Sequence, residues 1–420
     1  MSRIRTAFVS AIAIAAMATS VIATAPAQAT PKPKSDLRGT VVDRSLFGMH
    51  VFDVQTGTWP SVPIGALRLW DTQTTWGQVE TTKGVFDWTK LDTAVATAQK
   101  NGVNDILMVL AGTPAWATDA PASGGLAGVL PGAAGMPKDL ADWDAWVTAV
   151  ATRYKGKITS YQPWNEANLV TFSTGTATQM ADLTKHAYDI IKAIDPAAKV
   201  VAPSTGTRLG GAFKKFYPAF LAELKARNWP VDVWSAHTYP ASLGTPIDRA
   251  LLAQKWQAAL RAAGAPNLPL WDTENNFGLA GPGASNPDQD IIGPRAGEWA
   301  ARSYLDALRL GISRVYWYAW APDEDLLGIQ MNTGSTAAIA LTTLQTWIVG
   351  ATFNGCVGGT KVVCSFTRNG VNTRIVWAQS GTRSFKVANR FKQICRLDGR
   401  CTDRGPRHNV RVSGPVLLTP

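Results

Sequence analysis

Between residues 40 and 350 the sequence alternates between strand-like and helix-like runs, and this alternation restricts the possible folds more than any other feature. It predicts a parallel sheet whose strands are joined by crossover helices. The strand-like runs number eight, at 47–52, 66–71, 105–110, 158–166, 199–205, 231–237, 268–274 and 314–320. Eight such units over about 310 residues predict an α/β fold, a (β/α)8 TIM barrel, which we assign to residues 40–349.

Amphipathic stretches separate most of these strands and predict the helices of the barrel. They lie at 88–101, 140–154, 180–194 and 297–310. Asp87 is expected to cap the first of them at its N-terminus, and Gly102 to end it. The segment between the first two strands is too short for a long helix, so the first crossover is expected to be abbreviated.

The N-terminal segment differs from this pattern. Arg3 and Arg5 precede an apolar, Ala-rich run, and 27–29 (AQA) has the small-x-small pattern that a signal peptidase reads. Residues 1–29 are therefore predicted to be a signal peptide, and 30–39 a flexible linker. The mature protein is expected to be secreted, either extracellular or associated with the cell wall, without insertion into a membrane.

After about residue 350 the pattern changes to short alternating runs, which predict a small antiparallel β-domain over 350–420. All four cysteines lie in this segment, and an even number of cysteines in an exported chain favours disulfides. Pairing of Cys356 with Cys364 and of Cys395 with Cys401 is preferred among the three connectivities, because each bond closes a short loop.

The formal net charge of +11 is compatible with a polyanionic partner. The positive charges are scattered until about Lys361 and become denser towards the C-terminus. No RNA- or DNA-binding motif accompanies them, so a solvated basic face is the preferred interpretation and no nucleic-acid partner is expected.

Polar residues whose side chains could take part in catalysis lie at the ends of three predicted strands. Residues 161–166 (YQPWNE) end the fourth strand, 234–239 (WSAHTY) the sixth and 270–274 (LWDTE) the seventh. The carboxyl ends of barrel strands converge on one face, so Glu166 and Glu274 are expected to meet across one pocket. Cleavage of a glycosidic bond requires such a pair of carboxyl groups, one protonated and the other ionised.

These segments resemble glycoside hydrolase clan A. Residues 164–166 (WNE) are similar to the Asn-Glu acid/base signature of the clan, 270–274 match the position of its nucleophile, and 237–239 (HTY) are similar to its strand-six segment. The resemblance covers residues 45–350, and family 5 shares much of it. Similarity to family 39 in particular lies in 47–50 (FGMH), 67–71 (LRLWD), Trp76, Glu80, 83–84 (KG), 86–88 (FDW) and 112–116 (GTPAW).

The resemblance implies a retaining mechanism with Glu274 as the nucleophile and Glu166 as the general acid/base. Arg68 would lie near Glu274 and keep it ionised, and Tyr239 would donate a hydrogen bond to Glu274. Glu166 would need a raised pKa to hold its proton, which a partly apolar wall and a nearby negative charge would supply. Retaining chemistry predicts roughly 5–5.5 Å between the two carboxyl groups.

The supporting residues have alternative interpretations. Asn165 would hydrogen-bond the sugar 2-hydroxyl, and His237 would line the acid/base side or the sugar site. Arg68 can instead be a structural ion-pair partner inside the barrel, and His50 is equally well explained as a hydrogen-bonded core histidine. Asp272, two residues before the predicted nucleophile, can be a buried support rather than a catalyst.

Tryptophan faces stack well on sugars, but most tryptophans of a barrel pack in its core. Trp320 is the preferred sugar platform, since clan A barrels usually place an aromatic residue on strand eight beneath the sugar. Trp70, Trp116 and Trp164 are further candidates because they follow or end strands. An acidic segment, 323–325, could contact substrate or form a surface loop. Packing is expected for the tryptophans in helical stretches, Trp143, Trp146, Trp256 and Trp299.

Together these features predict a secreted retaining O-glycosyl hydrolase that acts on a poly- or oligosaccharide, as a monomer and without cofactor or metal. Endo action on a bacterial cell-wall, exopolysaccharide or plant glycan is preferred, with specificity in the loops 117–138 and 167–179. The alternatives are a catalytically silent glycan-binding barrel and a cell-wall transglycosylase.

Overall fold

A computed structural model describes residues 36–118, 120–121, 130–321, 326–406 and 408–420. The predicted signal peptide, most of the predicted linker and the acidic segment 323–325 lie outside the described residues, as does part of the loop 117–138. Within the described ranges, no helix is long and apolar enough to span a membrane.

Eight parallel strands form the barrel and follow a two-residue strand, β1 (Thr40–Val41). They are β2 (Phe47–Val51), β3 (Ala66–Leu69), β4 (Ile106–Val109), β5 (Ser160–Gln162), β6 (Lys199–Val200), β7 (Trp234–His237), β8 (Leu270–Asn275) and β9 (Ile312–Trp320). Their order is β6-β5-β4-β3-β2-β9-β8-β7. A parallel bridge between Val201 and Val233 joins the two edges, with Ala202 N–H donating to Val233 O over 2.9 Å. The predicted (β/α)8 barrel and its eight strands are thus confirmed.

Helices connect the strands, as the amphipathic stretches predict. They are α1 (Trp76–Val79), α2 (Thr89–Lys100), α3 (Leu140–Arg153), α4 (Ala177–Ile194), α5 (Gly210–Ala226), α6 (Pro246–Ala262), α7 (Gly293–Arg309) and α8 (Thr336–Ile348). The N-cap of α2 is Trp88 rather than Asp87, but the Asp87 carboxylate accepts the Thr89 N–H over 3.0 Å. Gly102 ends this helix segment with a φ of 76°. The first crossover contains only a 3-10 turn, Val54–Thr56, as expected from its length.

Several of the residues similar to family 39 hold the barrel together. Trp76 and Trp88 both lie parallel to Trp146 of α3, at 6.3 and 6.0 Å between ring centroids. Glu80 accepts a hydrogen bond from Trp76 Nε1 over 2.6 Å and another from the backbone N–H of Gly84 over 2.7 Å. These contacts fix the turn that leads into α2 against α3, so this motif is structural.

The C-terminal segment forms most of a seven-stranded sheet and a separate two-stranded sheet. Its strands are β10 (Thr352–Val357), β11 (Lys361–Arg368), β12 (Val371–Ala378), β13 (Arg383–Lys386), β14 (Gln393–Arg396), β15 (Cys401–Asp403), β16 (Asn409–Val412) and β17 (Val416–Thr419). The sheet order is β1-β10-β11-β12-β17-β14-β15, and β13 pairs with β16. The predicted antiparallel β-domain is confirmed, but β1 joins it although residue 40 was expected to begin the barrel.

Both predicted disulfides are present. Cys356 and Cys364 face each other across β10 and β11, and Cys395 and Cys401 face each other across β14 and β15. Each bond therefore links two strands that are already hydrogen-bonded neighbours.

Candidate active site

The carboxyl ends of β5, β7 and β8 converge on a cavity of about 640 Å³. Glu166, Glu274, His237 and Tyr239 all line this cavity. The structure therefore brings together the three strand ends that carry most of the predicted chemistry.

Arg68, on β3, organises the base of this site. It is fully buried and donates to Glu274 Oε1 over 2.7 Å, to Asn165 Oδ1 over 2.8 Å and to Gln162 Oε1 over 2.7 Å. Gln162 is itself held by its Nε2, which donates to Ala202 O over 2.9 Å and to a serine hydroxyl on β7. A planar guanidinium with several fixed acceptors has little rotational freedom. The predicted pairing of Arg68 with Glu274 is present, and it also positions Asn165.

Glu274 has two donors on its carboxylate. Arg68 forms an ion pair with Oε1, and the Tyr239 hydroxyl donates to Oε2 over 3.1 Å. Burial raises the pKa of Glu274, whereas His237 and the Arg68 guanidinium oppose this rise. The contact from Tyr239 is the one expected from the sequence.

Glu166 has a different environment. Its side chain is 12% exposed, and none of the described residues places an N–H or O–H group in hydrogen-bonding geometry with its carboxylate. Burial raises the pKa of Glu166 to about 7, and the positive charges of Arg208 and Arg68 limit the rise. A carboxyl group with such a pKa is protonated in a large fraction of molecules at neutral pH.

The backbone at Glu166 is unusual. Its φ is 40°, which a residue with a side chain rarely adopts. The Ser204 hydroxyl accepts the Glu166 N–H over 2.9 Å and so stabilises this conformation. A Cβ atom at Gly206 would lie 2.7 Å from Glu166 Oε1, so the absence of a side chain at Gly206 makes room for the carboxylate.

His237 lies between the two glutamates. Its Nδ1 is 3.1 Å from Glu166 Oε1 and 3.2 Å from Glu274 Oε2, but neither contact has the geometry of a hydrogen bond. Burial lowers the pKa of His237 to about 4, so the ring is neutral at pH 7. The two carboxylate oxygens can be no farther apart than the sum of these two distances.

Asp272 supports the β7 end from below. It is fully buried, pairs with Arg249 over 2.6 Å and accepts the Thr238 N–H over 3.1 Å. Thr238 lies between His237 and Tyr239 in the chain, so Asp272 fixes the segment that carries both. This is the supporting position considered for Asp272 from the sequence.

Several predicted residues do not line the cavity, including Arg68, described above, and Trp164, which is fully buried. His50 is buried beneath it, with Nε2 3.0 Å from Thr273 O and 3.3 Å from Arg68 Nη1. Trp116 packs edge-on against Trp76 and donates to Glu80 O over 3.0 Å. Trp320, expected to be the sugar platform, is 5% exposed and belongs to the hydrophobic core.

Other aromatic residues line the cavity instead. Tyr318, two residues before Trp320 on β9, does so and donates its hydroxyl to Asp71 Oδ2 over 2.7 Å. Trp70 also lines it, as predicted, and makes an edge contact with Phe172. The pairing of β2 with β9 shifts register between Trp317 and Trp320, so the regular alternation that would place residues 318 and 320 on the same side is interrupted there.

Sequence reasoning missed three further residues of the site, namely Gln162, Gly206 and Arg208. Gln162 stands in the strand-end segment 161–166, and its side chain reaches the barrel interior. Gly206 and Arg208 follow β6, a strand end without the paired carboxylates that drew attention elsewhere. Arg208 lines the cavity and donates to Leu279 O over 2.6 Å.

No family model matches this sequence, and no curated protein matches it. Solved structures do match over most of the chain. A family 39 glycoside hydrolase from Bacteroides cellulosilyticus WH2 has a TM-score of 0.62 at 16% identity, over 93% of this chain and 82% of that one. A GH39 β-xylosidase from Caulobacter crescentus has a TM-score of 0.62 at 17% identity, over 90% and 96%.

A GH30 endoxylanase from Clostridium papyrosolvens C71 also matches, with a TM-score of 0.57 at 12% identity over 91% of this chain and 99% of that one. At such identities the likeness concerns the fold. The resemblance to family 39 that the sequence motifs indicate is therefore confirmed in the fold: this chain is folded like solved glycoside hydrolases of families 39 and 30.

Proposed function

We propose that this protein is a retaining O-glycoside hydrolase in which Glu274 is the nucleophile and Glu166 the general acid/base. The observation that carries the proposal is the pair of carboxyl groups in one cavity with different environments. Glu274 is held by a guanidinium and a phenol hydroxyl, whereas burial favours the protonated form of Glu166. Two carboxyl groups whose environments separate their roles are what glycosidic cleavage requires.

In the first step, a Glu274 oxygen attacks the anomeric carbon while the glycosidic bond breaks and Glu166 transfers its proton to the leaving oxygen. In the second, water attacks the anomeric carbon, its proton passes to Glu166, and the bond to Glu274 breaks. Asn165 lies at the cavity wall with Oδ1 bound to Arg68, so its amide group is positioned to donate to the sugar 2-hydroxyl.

The distances around His237 are compatible with retention. Glu166 Oε1 and Glu274 Oε2 lie 3.1 and 3.2 Å from one nitrogen, as two carboxyl groups roughly 5–5.5 Å apart can do.

The substrate class is a poly- or oligosaccharide. Trp70, Phe172 and Tyr318 give the cavity aromatic faces on which sugar rings can stack. Two disulfides are consistent with an oxidising compartment, which supports a location outside the cell. The proposal further includes action as a monomer and without a cofactor. Proteins of similar fold include a β-xylosidase and an endoxylanase, so xylan-derived substrates are a rational first choice for assays.

Trapping of the glycosyl-enzyme tests this proposal. After a screen of aryl glycosides identifies a hydrolysed sugar, the matching 2-fluoro glycoside with a good leaving group should inactivate the enzyme. Peptide mass spectrometry should then locate the sugar on Glu274, and the Glu274→Gln variant should remain unlabelled. A first-formed product whose anomeric configuration is inverted relative to the substrate would contradict the proposal, as would a label on another residue.

A further inference from the structure

The charge of this protein is concentrated at one end of the chain. Residues 351–420 contain 12 of the 41 Lys and Arg residues but only 2 of the 30 Asp and Glu residues. Nearly all of the formal net charge of +11 therefore comes from the C-terminal β-domain, whereas the preceding 350 residues are close to neutral. A local excess of this kind attracts polyanions.

A groove of about 570 Å³ lies where this domain meets α7 and α8. Arg396, Arg400 and Arg411 line it, and it shares no residue with the catalytic cavity. Arg400 is paired with Asp398 over 2.5 Å. Arg396 and Arg411 are exposed, and neither forms an ion pair or a side-chain hydrogen bond with any residue that the structure describes. Two guanidinium groups at one groove thus keep their donors available.

The helices that border the groove also favour an anion. It reaches Pro294 in the first turn of α7 and Thr336 in the first turn of α8. Helix N-termini carry partial positive charge and attract anionic groups. Glu298 opposes this effect, but burial raises the pKa of Glu298 and its carboxylate accepts a hydrogen bond from Ser413 over 3.3 Å.

We propose that this groove is a second binding site for a polysaccharide that carries anionic groups, and that it tethers the catalytic barrel to such a polymer. The guanidinium group matches carboxylate and sulfate oxygens in geometry and charge. None of the described residues that line the groove is aromatic, although single-stranded nucleic acids are usually held by stacking on aromatic rings. An anionic sugar chain requires only charge and hydroxyl hydrogen bonds, which this lining provides.

The test compares the full chain with two double variants that lose the same charge. Arg396→Gln/Arg411→Gln removes the unpaired groups of the groove, and Lys214→Gln/Lys215→Gln removes two exposed charges from α5 of the barrel. Affinity is measured by fluorescence anisotropy with labelled polygalacturonate, dextran sulfate, neutral dextran and single-stranded DNA, at several salt concentrations.

We expect the wild-type chain to bind at least one of the two anionic polysaccharides, more weakly as salt increases, and not to bind dextran. The groove variant should bind roughly tenfold to a hundredfold more weakly, and the barrel variant should differ little from wild type. Binding of polygalacturonate alone would identify carboxylate as the recognised group, and binding of dextran sulfate alone would identify sulfate.

Equal losses in both variants would show a general charge effect and overturn the proposal, as would failure to bind either anionic polymer. Tighter binding of DNA than of both polysaccharides would also overturn it. Thermal unfolding of each variant checks that the β-domain is folded. None of these measurements depends on hydrolysis, so the outcome is independent of the function proposed for Glu166 and Glu274.

Discussion

The ends of β5 and β8 each place a glutamate at the same cavity, but the two glutamates have different surroundings. Glu274, at the end of β8, receives donors from Arg68 and Tyr239. Glu166, just after β5, receives none from the described residues, and burial raises its pKa to about 7. The comparison teaches that the neighbouring donors, not the residue type, separate a nucleophile from an acid.

The backbone around the two glutamates also differs. Glu274 lies within β8, where it pairs with His237 of the neighbouring strand β7. Glu166 lies outside a strand with a φ of 40°, and depends on Ser204 for its N–H and on Gly206 for space. Glu274 is thus fixed by the barrel itself, whereas Glu166 is fixed by the segment that follows β6.

Replacing the two glutamates should give different kinetic signatures. Glu274→Gln replaces the attacking carboxylate with a weakly nucleophilic amide, so kcat should fall by about 10⁴-fold or more for every substrate. Glu166→Gln removes proton transfer to the leaving oxygen, so kcat/KM, which reports the first step, should fall by about 10²–10⁴-fold for poor leaving groups and much less for dinitrophenyl glycosides. Similar leaving-group dependence in both variants would contradict the different roles proposed for Glu274 and Glu166. Unchanged thermal unfolding is the control for folding.

Tyr239→Phe tests the donors on the nucleophile. It removes one hydrogen bond to a charged group, worth about 1.5–3 kcal/mol, so kcat/KM should fall roughly tenfold to a hundredfold. The control is Tyr188→Phe on α4, which changes a tyrosine outside the cavity and should leave kcat/KM unaltered. A Tyr239→Phe variant with wild-type activity would show that Arg68 alone holds Glu274.

Gly206→Ala tests the space around the acid. The new methyl group would lie 2.7 Å from Glu166 Oε1 and must displace that carboxylate. Misplacement of a catalytic group is costly, so we expect a loss of roughly tenfold in kcat/KM, greatest for poor leaving groups. Gly211→Ala on α5 has no atom near the new methyl group and serves as the control. Equal activity of both variants would contradict the assigned role of Gly206.

The smallest expected effect concerns pH. Since Glu166 must be protonated to act as the acid, kcat/KM should fall as pH rises through about 7. The charge of Arg208 lowers the pKa of Glu166, so Arg208→Gln should raise it and move this basic limb to higher pH. The pH profile of kcat/KM measures the shift. A basic limb that stays in place or moves to lower pH would show that Arg208 does not lower the pKa of Glu166.

The barrel and the position of both glutamates on one face could be predicted from the sequence, because hydrophobic periodicity and strand ends are local signals. The sequence did not predict that Tyr318 rather than Trp320 lines the cavity, because periodicity gives no sign of the register shift near the end of β9. Gln162 and Arg208 were missed because their roles depend on contacts with residues distant in sequence. The pairing of Thr40–Val41 with β10 was missed because two residues have no periodicity.

Azide rescue tests the central assignment most directly. With an activated aryl glycoside, azide should attack the anomeric carbon directly in the Glu274→Ala variant and give a glycosyl azide of inverted configuration. In the Glu166→Ala variant it should replace water in the second step and give a glycosyl azide of retained configuration. NMR of the two products distinguishes them. The opposite configurations, or the same configuration from both variants, would contradict the roles assigned to Glu274 and Glu166.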